Sequence, residues 1–257
     1  MRWARFSRGG TVGYGQVEGD SLKVFSGDLF DGAAATGKSV KLSEVELLTP
    51  CEPTKFICLW NNFHALAAKL EVAEPPEPLF LLKAPNAFTA PGTTIRRPKS
   101  YDGPVVYEGE LGIVIGKRAT AIPESQAAEH IFGYTCVNDV TAAKIIQKDP
   151  TFAQWTRAKS FDGFGAFGPF INSDIDPLGL AVRTVLNGDE RQNYPVADMI
   201  VPPHKLVSLL SHDMTLMPGD VIACGTSIGV GSMKAPSNEV TIAIEGIGEL
   251  HNTYVNE

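Results

Sequence analysis

Glu108 and Glu110 stand two residues apart in the stretch "YEGELGIVIGK", residues 107–117. Side chains two apart on a strand project from the same face. Two carboxylates that close repel each other unless positive charge lies between them. The pattern leaves two readings: solvated glutamates at a strand start, or oxygen ligands for a hard cation such as Mg²⁺, Mn²⁺ or Ca²⁺. Asp139 adds a third carboxylate at the end of the apolar stretch "GYTCVN", where a lone aspartate is usually a helix N-cap. Three carboxylates at the ends of buried strands would form a metal cage if they converged, and spacing alone does not make them converge. No His or Cys pair has zinc spacing.

The strands that must position these groups follow from the apolar pattern. On the strand that begins at Glu108, Tyr107, Gly109, Leu111, Ile113 and Ile115 form a core face. The other face carries Glu108, Glu110, Gly112 and Val114; it is acidic at one end and small beyond, which leaves room for a ligand. "KFICLW" and "LFLLKAPNAF" read as further strands, with Lys83 near the end of the second. Between them "NNFHALAAKLEV" reads as a short helix, closed by the prolines of "EPPEP". "SQAAEHIF" and "PHKLVSLLSHDM" are helices, the second amphipathic, and "AAKIIQK" is a helical turn. "LAVRTVLNGDERQNYPV" is a hairpin around Asn187-Gly188, and "NEVTIAIEGIGELHNTYV" closes with two strands. "VGYGQVEGDSLKVF" gives two short strands around Gly19-Asp20, before the prolines at Pro50 and Pro53. We expect a β-rich α+β fold, with a small N-terminal β domain over residues 1–52 and a catalytic domain over 53–257.

The chain is 257 residues long, enough for one sizeable core with a small appendage. Hydrophobic content of 44% and charged content of 20% are those of a soluble globular protein. A net charge of −7 argues against a nucleic-acid partner, which needs a basic face. No signal-like segment and no bilayer-length apolar run is present, so no membrane partner is expected. None of the four cysteines forms a CxxC pair; buried structural thiols in a cytoplasmic protein are expected. Gly163, Gly165 and Gly168 match G-x-G-x-x-G, but proline and no helical periodicity follow, so turns are expected there instead of a dinucleotide site.

From Lys55 onward the sequence resembles the fumarylacetoacetate hydrolase family. "YEGELGIVIGK" is similar to its E-x-E strand and "GYTCVNDVTA" to its G-Y-x-x-x-N-D motif. "RAKSFDGFGAFGPF" resembles its K-S-F-D…G-P segment, "LNGDERQ" its N-G-x-x-x-Q turn, and "MPGDVIACGTSIGVG" its P-G-D…G-T-P-x-G-V-G loop. Five motifs in family order are more specific than any one. The resemblance implies a mixed β-sheet roll, a homodimer, and Mg²⁺ or Mn²⁺ held by Glu108, Glu110 and Asp139. It implies 2-oxo or 2,4-dioxo acid substrates that chelate the cation, which stabilises an enolate as a Lewis acid. Lys159 would neutralise enolate charge or shuttle a proton, and Lys83 has the same reading. From the residues alone, each reads sooner as a surface lysine. Gln192, Gly225 and Thr226 would bind substrate, with the amides of loop 225–231 as an anion nest; Gly229 and Gly231 are equally readable as positive-φ positions.

Two departures bear on the reaction. Many family hydrolases and decarboxylases carry N-Y-x-x-H-x-x-E, whose His and Glu activate water. Aligned on Asn62-Phe63, this chain has Leu66 and Lys69 at those places. His64 falls on a different side of the helix, and Glu71 is not three residues after a histidine. Relatives place Arg-Asp four and five residues beyond the aspartate, where Ala143 and Lys144 stand, and Ser227 replaces a proline. Isomerisation needs less machinery than hydrolysis. The expectation is therefore an isomerase or tautomerase of 2-hydroxy-dienoate diacids in aromatic catabolism, of the 5-carboxymethyl-2-hydroxymuconate isomerase type. The alternatives are a C–C hydrolase or decarboxylase of 2,4-dioxo acids with a relocated base, and a non-catalytic metal-dependent binder of oxo acids.

Overall fold

One large sheet runs from the N-terminal meander to the strand Leu79–Lys83 in the computed structural model, which describes residues 1–256. Its order is Asp31–Lys41, Ser21–Asp28, Thr11–Glu18, Arg2–Arg8, Gly165–Asn172, Ile131–Asp139, Gly109–Ile115, Val221–Ala223, Phe56–Trp60, Leu79–Lys83. The meander joins the rest through pairing of Arg2 with Asn172 and Trp3 with Ile171. Most pairs are antiparallel; Val221–Ala223 runs parallel to Phe56–Trp60, so the sheet is mixed. A five-stranded sheet holds the expected hairpin, Ala181–Leu186 with Asp189–Pro195, and the closing strands Ser237–Ile244 and Gly248–Val255. A small third sheet pairs Val105–Tyr107 with Thr141–Ala142 and Gly231–Ser232.

The core lies on both faces of the large sheet. Leu111, Ile113 and Ile115 pack with Val182, Ile242 and Leu250 of the second sheet and with Leu206 and Leu210 of the helix Pro203–Asp213. Val114 packs on the opposite face with Phe56, Val137 and Phe167. Both faces of the Gly109 strand are therefore dry, as its near-continuous apolar run permits. This corrects one expectation: the small residue beyond Glu110 leaves no room for a ligand. A Cβ on Gly112 would lie 2.7 Å from Val137 and 2.9 Å from Thr135, whose side chains already fill that space.

The helix expected after Asn62 spans His64–Leu70. A five-residue helix, Trp155–Lys159, carries no sequence periodicity that would reveal it. Gly163 lies in a turn as expected, but Gly165 and Gly168 lie within the strand Gly165–Asn172, which corrects the expectation of turns for those two; the triplet opens no helix. All four cysteines are buried and unpaired. Among the described residues no helix is long and apolar enough to cross a membrane.

Candidate metal centre

Three chain segments leave the large sheet and enter the small one at a single corner. The first breaks at Glu108, between Val105–Tyr107 and Gly109–Ile115; the second breaks at Val140, between Ile131–Asp139 and Thr141–Ala142. The third is the loop from Cys224 to Val230, which joins Val221–Ala223 to Gly231–Ser232. The first two stay paired through the turn: Gly109 faces Asn138, the Asp139 amide donates to the Glu108 carbonyl at 2.9 Å, and Val106 faces Thr141. Strand alternation is interrupted there, so side chains from two strands point into one space. One carboxylate oxygen each from Glu108, Glu110 and Asp139 lies within 4.8 Å of the others.

Gly109 makes the corner possible. A Cβ at this position would sit 2.1 Å from Thr184 Oγ1 and 2.9 Å from Ile242, so only glycine lets the strand press on the second sheet. Its amide donates to Gln192 Oε1 at 3.0 Å, and its carbonyl accepts from Tyr194 at 2.5 Å and from Thr226 at 3.0 Å. The glycine between the two glutamates is therefore fixed from behind.

Glu110 and Asp139 are fully buried, and the Glu108 side chain is 17% exposed. Two lysines face them. Lys159 Nζ donates to Asp139 Oδ2 at 2.6 Å, Thr141 Oγ1 at 2.7 Å and Glu108 Oε2 at 2.9 Å. Those three acceptors use all three of its N–H groups. Lys83 Nζ donates to the carbonyls of Lys159 at 2.5 Å and Val140 at 3.4 Å, and makes a 2.6 Å ion contact with Asp139 Oδ1. Neither is a surface lysine, since Lys83 is 3% and Lys159 2% exposed.

The electrostatics separate the three acids. Burial works to raise the Asp139 carboxyl, but Lys159 and Lys83 outweigh it and hold the group below the ordinary aspartate range. Burial works to discharge Lys159, but Asp139, Glu108 and Glu110 together push it above the ordinary lysine range. Lys159 is thus held as an ammonium in this arrangement. Glu110 is the group left over. Burial, then the charges of Asp139 and Glu108, push it well above the usual carboxylate range, against the opposing pull of Lys159 and the Gly225 amide. Its Oε2 accepts from Gly225 N at 2.8 Å, while its Oε1 has no partner. A buried carboxylate oxygen without a partner is costly. Two lysines face three acids, and Glu110 is the acid that burial and its acidic neighbours hold toward its protonated form, so ionising it calls for further positive charge. An oxygen-only donor set with an unpartnered, desolvated oxygen fits a hard divalent cation.

Gln192, Gly225 and Thr226 stand behind Glu110. The Gln192 amide accepts from Gly109 N and Thr184 Oγ1 and donates to Thr226 Oγ1 at 2.8 Å. The Thr226 hydroxyl donates to the Gly109 carbonyl, and the Gly225 amide donates to Glu110. Their polar atoms are thus used within the chain, as a brace between the loop and the acidic strand. Gly229 has φ +97° and lies so close to the Arg191 carbonyl that a Cβ would approach to 2.1 Å, so backbone packing accounts for this glycine.

The helix His64–Leu70 supplies no acid–base pair at Leu66 and Lys69. Leu66 packs against the core, Lys69 is exposed, and His64 is exposed and 2.6 Å from Glu74. Glu71 is an exposed left-handed C-cap residue with φ 55°. Asn62 anchors the segment instead: its amide donates to the carbonyls of Cys224 and Val201 and accepts from Val201 N. An open cavity of about 550 Å³ lies across the Ser160–Gly163 turn, and none of the three carboxylates lines it. The sequence reading passed over Thr141 and Tyr194, although "NDVTA" carries the first within a quoted motif.

Comparison with known proteins gives the family. The family model for the fumarylacetoacetate (FAA) hydrolase C-terminal domain matches residues 55–255, and the Rv2993c-like N-terminal model matches residues 1–50. The chain belongs to the fumarylacetoacetate hydrolase family. It is 38% identical to 5-carboxymethyl-2-hydroxymuconate delta-isomerase from Mycobacterium smegmatis, whose crystal structure superposes with a TM-score of 0.91 over 100% of both chains. It is 37% identical to oxaloacetate tautomerase YisK from Bacillus subtilis, over 82% of this chain and 73% of the relative. A maleylpyruvate hydrolase from Sphingobium, solved with manganese(II) and pyruvate, is 26% identical with a TM-score of 0.80, over 100% of this chain and 99% of that one.

Proposed function

We propose that this protein is a divalent-cation-dependent enzyme that isomerises or tautomerises an enolisable 2-oxo or 2-hydroxy-dienoate acid. The observation that carries the reading is the convergence of Glu108, Glu110 and Asp139 with one buried oxygen unpartnered. Mg²⁺ or Mn²⁺ held by these three residues would supply Lewis-acid stabilisation of charge developing on the substrate's oxygens. The chain's own groups do the rest. Lys159, held as an ammonium with its three N–H groups given to Asp139, Thr141 and Glu108, would place fixed positive charge where an oxyanion develops. Lys83 binds the Lys159 carbonyl and Asp139, and so holds the helix end against the acid corner. Burial of the acids keeps water from competing for these contacts.

A tautomerisation moves a proton and needs no activated water, in accord with Leu66 and Lys69 at the places of the water-activating pair. The isomerase and tautomerase names of two relatives support the same side. The second reading, C–C hydrolysis or decarboxylation, is favoured by the hydrolase neighbour. The proposal includes a homodimer, as the family resemblance implies, and a cytoplasmic location, supported by the four unpaired cysteines.

Products separate the readings. The Mn²⁺-loaded protein is incubated with a 2-hydroxy-dienoate diacid, oxaloacetate and maleylpyruvate, and followed by proton NMR. The expected result is an isomer of unchanged mass, with no second acid and no CO₂. Release of two acids or of CO₂ moves the protein to the second reading. Absence of turnover with every substrate and cation overturns both.

A further inference from the structure

We propose that Thr141 is a positioning residue that sets Glu108 and Lys159 for cation binding. The inference rests on the metal-dependent reading above. Thr141 is 1% exposed and opens the short strand of the small sheet, just past the corner. Its hydroxyl has two acceptors within reach, Glu108 Oε1 at 2.7 Å and the Asp139 carbonyl at 3.2 Å. One hydroxyl carries one proton, and the shorter contact assigns it to Glu108. The same oxygen accepts from Lys159 Nζ at 2.7 Å.

The three acids are not equally held. Asp139 lies between two ammonium groups, and Glu110 is tied to the Gly225 amide. Glu108 belongs to no strand, sits at the break between two sheets, and is the acid with some solvent exposure. It has the most freedom to turn. Thr141 fixes its Oε1 while Lys159 takes its Oε2, so the carboxylate plane is defined from both sides. The hydroxyl also fills the third acceptor place of Lys159, which keeps the ammonium from reaching further across the carboxylates. A methyl group of the same size can do neither.

Thr141→Val keeps the shape and removes the hydroxyl; Thr141→Ser keeps the hydroxyl. Loss of a hydrogen bond behind a metal ligand costs roughly 10–100-fold in affinity. Mn²⁺ titration of the chelator-treated full chain, by calorimetry and by the loss of free-Mn²⁺ EPR signal, should show weakening in that range for Thr141→Val. Thr141→Ser should bind close to wild type, and circular dichroism reports that each variant is folded. Equal Mn²⁺ affinity in folded Thr141→Val and wild type overturns the inference. So does a loss in Thr141→Ser equal to that in Thr141→Val, which would mark a packing role. Should Thr141→Val fail to fold, Thr141→Ala replaces it, with the same two outcomes. Failure of wild type itself to bind Mn²⁺ overturns both the metal reading and the inference.

Discussion

Glu110→Ala abolishes divalent-cation binding and leaves the cation-free protein folded. The reason is the asymmetry of the cluster. Asp139 and Glu108 have lysine partners, and Glu110 has one backbone N–H and an orphaned oxygen. Its burial is tolerated without a cation and becomes favourable with one. Glu110→Gln sharpens the test, because its carbonyl still accepts from Gly225 N while the group can no longer ionise to hold a cation. Glutamine keeps that hydrogen bond and matches the protonated form toward which burial pushes Glu110, so the melting temperature of the cation-free protein should stay close to wild type. Ligand at 100 times its Kd stabilises a fold by about 2.7 kcal/mol. For a chain of this size that is roughly 5–11 °C of melting temperature. Differential scanning calorimetry with and without Mn²⁺ should show that shift in wild type and none in either variant. A full shift in Glu110→Ala would remove this residue from the cation site.

Lys159→Met should lose both activity and cation-free stability. Its ammonium is the shared partner of Asp139 and Glu108, and methionine leaves those carboxylates facing each other in a buried corner. Removing one partner of a buried pair costs about 3–5 kcal/mol. Urea denaturation of the cation-free variant reads this loss directly. A divalent cation supplies positive charge to the same carboxylates, so Mn²⁺ should restore more stability to the variant than to wild type. Turnover should not return with it. Loss of a group that stabilises or transfers charge at the reacting atoms costs roughly 10²–10⁴-fold in rate. Wild-type turnover in the cation-loaded variant would reduce Lys159 to a structural role.

The acids were legible because their chemistry is local to a strand: two glutamates at a spacing of two, and an aspartate at an apolar strand's end. Convergence was not legible, because it depends on a shared break between two sheets at Glu108 and Val140, and no periodicity encodes a sheet switch. Lys159 read sooner as a surface residue since its helix is five residues long and too short for a pattern. Its burial comes from contacts 51 and 20 residues away in sequence, with Glu108 and Asp139. Lys83 was hidden for a related reason: its strand ends the large sheet, with Leu79, Phe80 and Leu82 exposed, and only the last side chain turns into the acid corner. The apparent room beside Gly112 was a local inference overruled by a neighbouring strand.

Solvent deuterium exchange tests the metal-dependent enolisation most directly. The protein is treated exhaustively with chelator, then placed in D₂O with an enolisable 2-oxo acid, and exchange at the carbon next to the keto group is followed by proton NMR. Exchange above the protein-free rate should vanish on chelation, return with Mg²⁺ or Mn²⁺, and fail to return in Glu110→Ala. Undiminished exchange by the fully chelated wild type would contradict the role assigned to Glu108, Glu110 and Asp139.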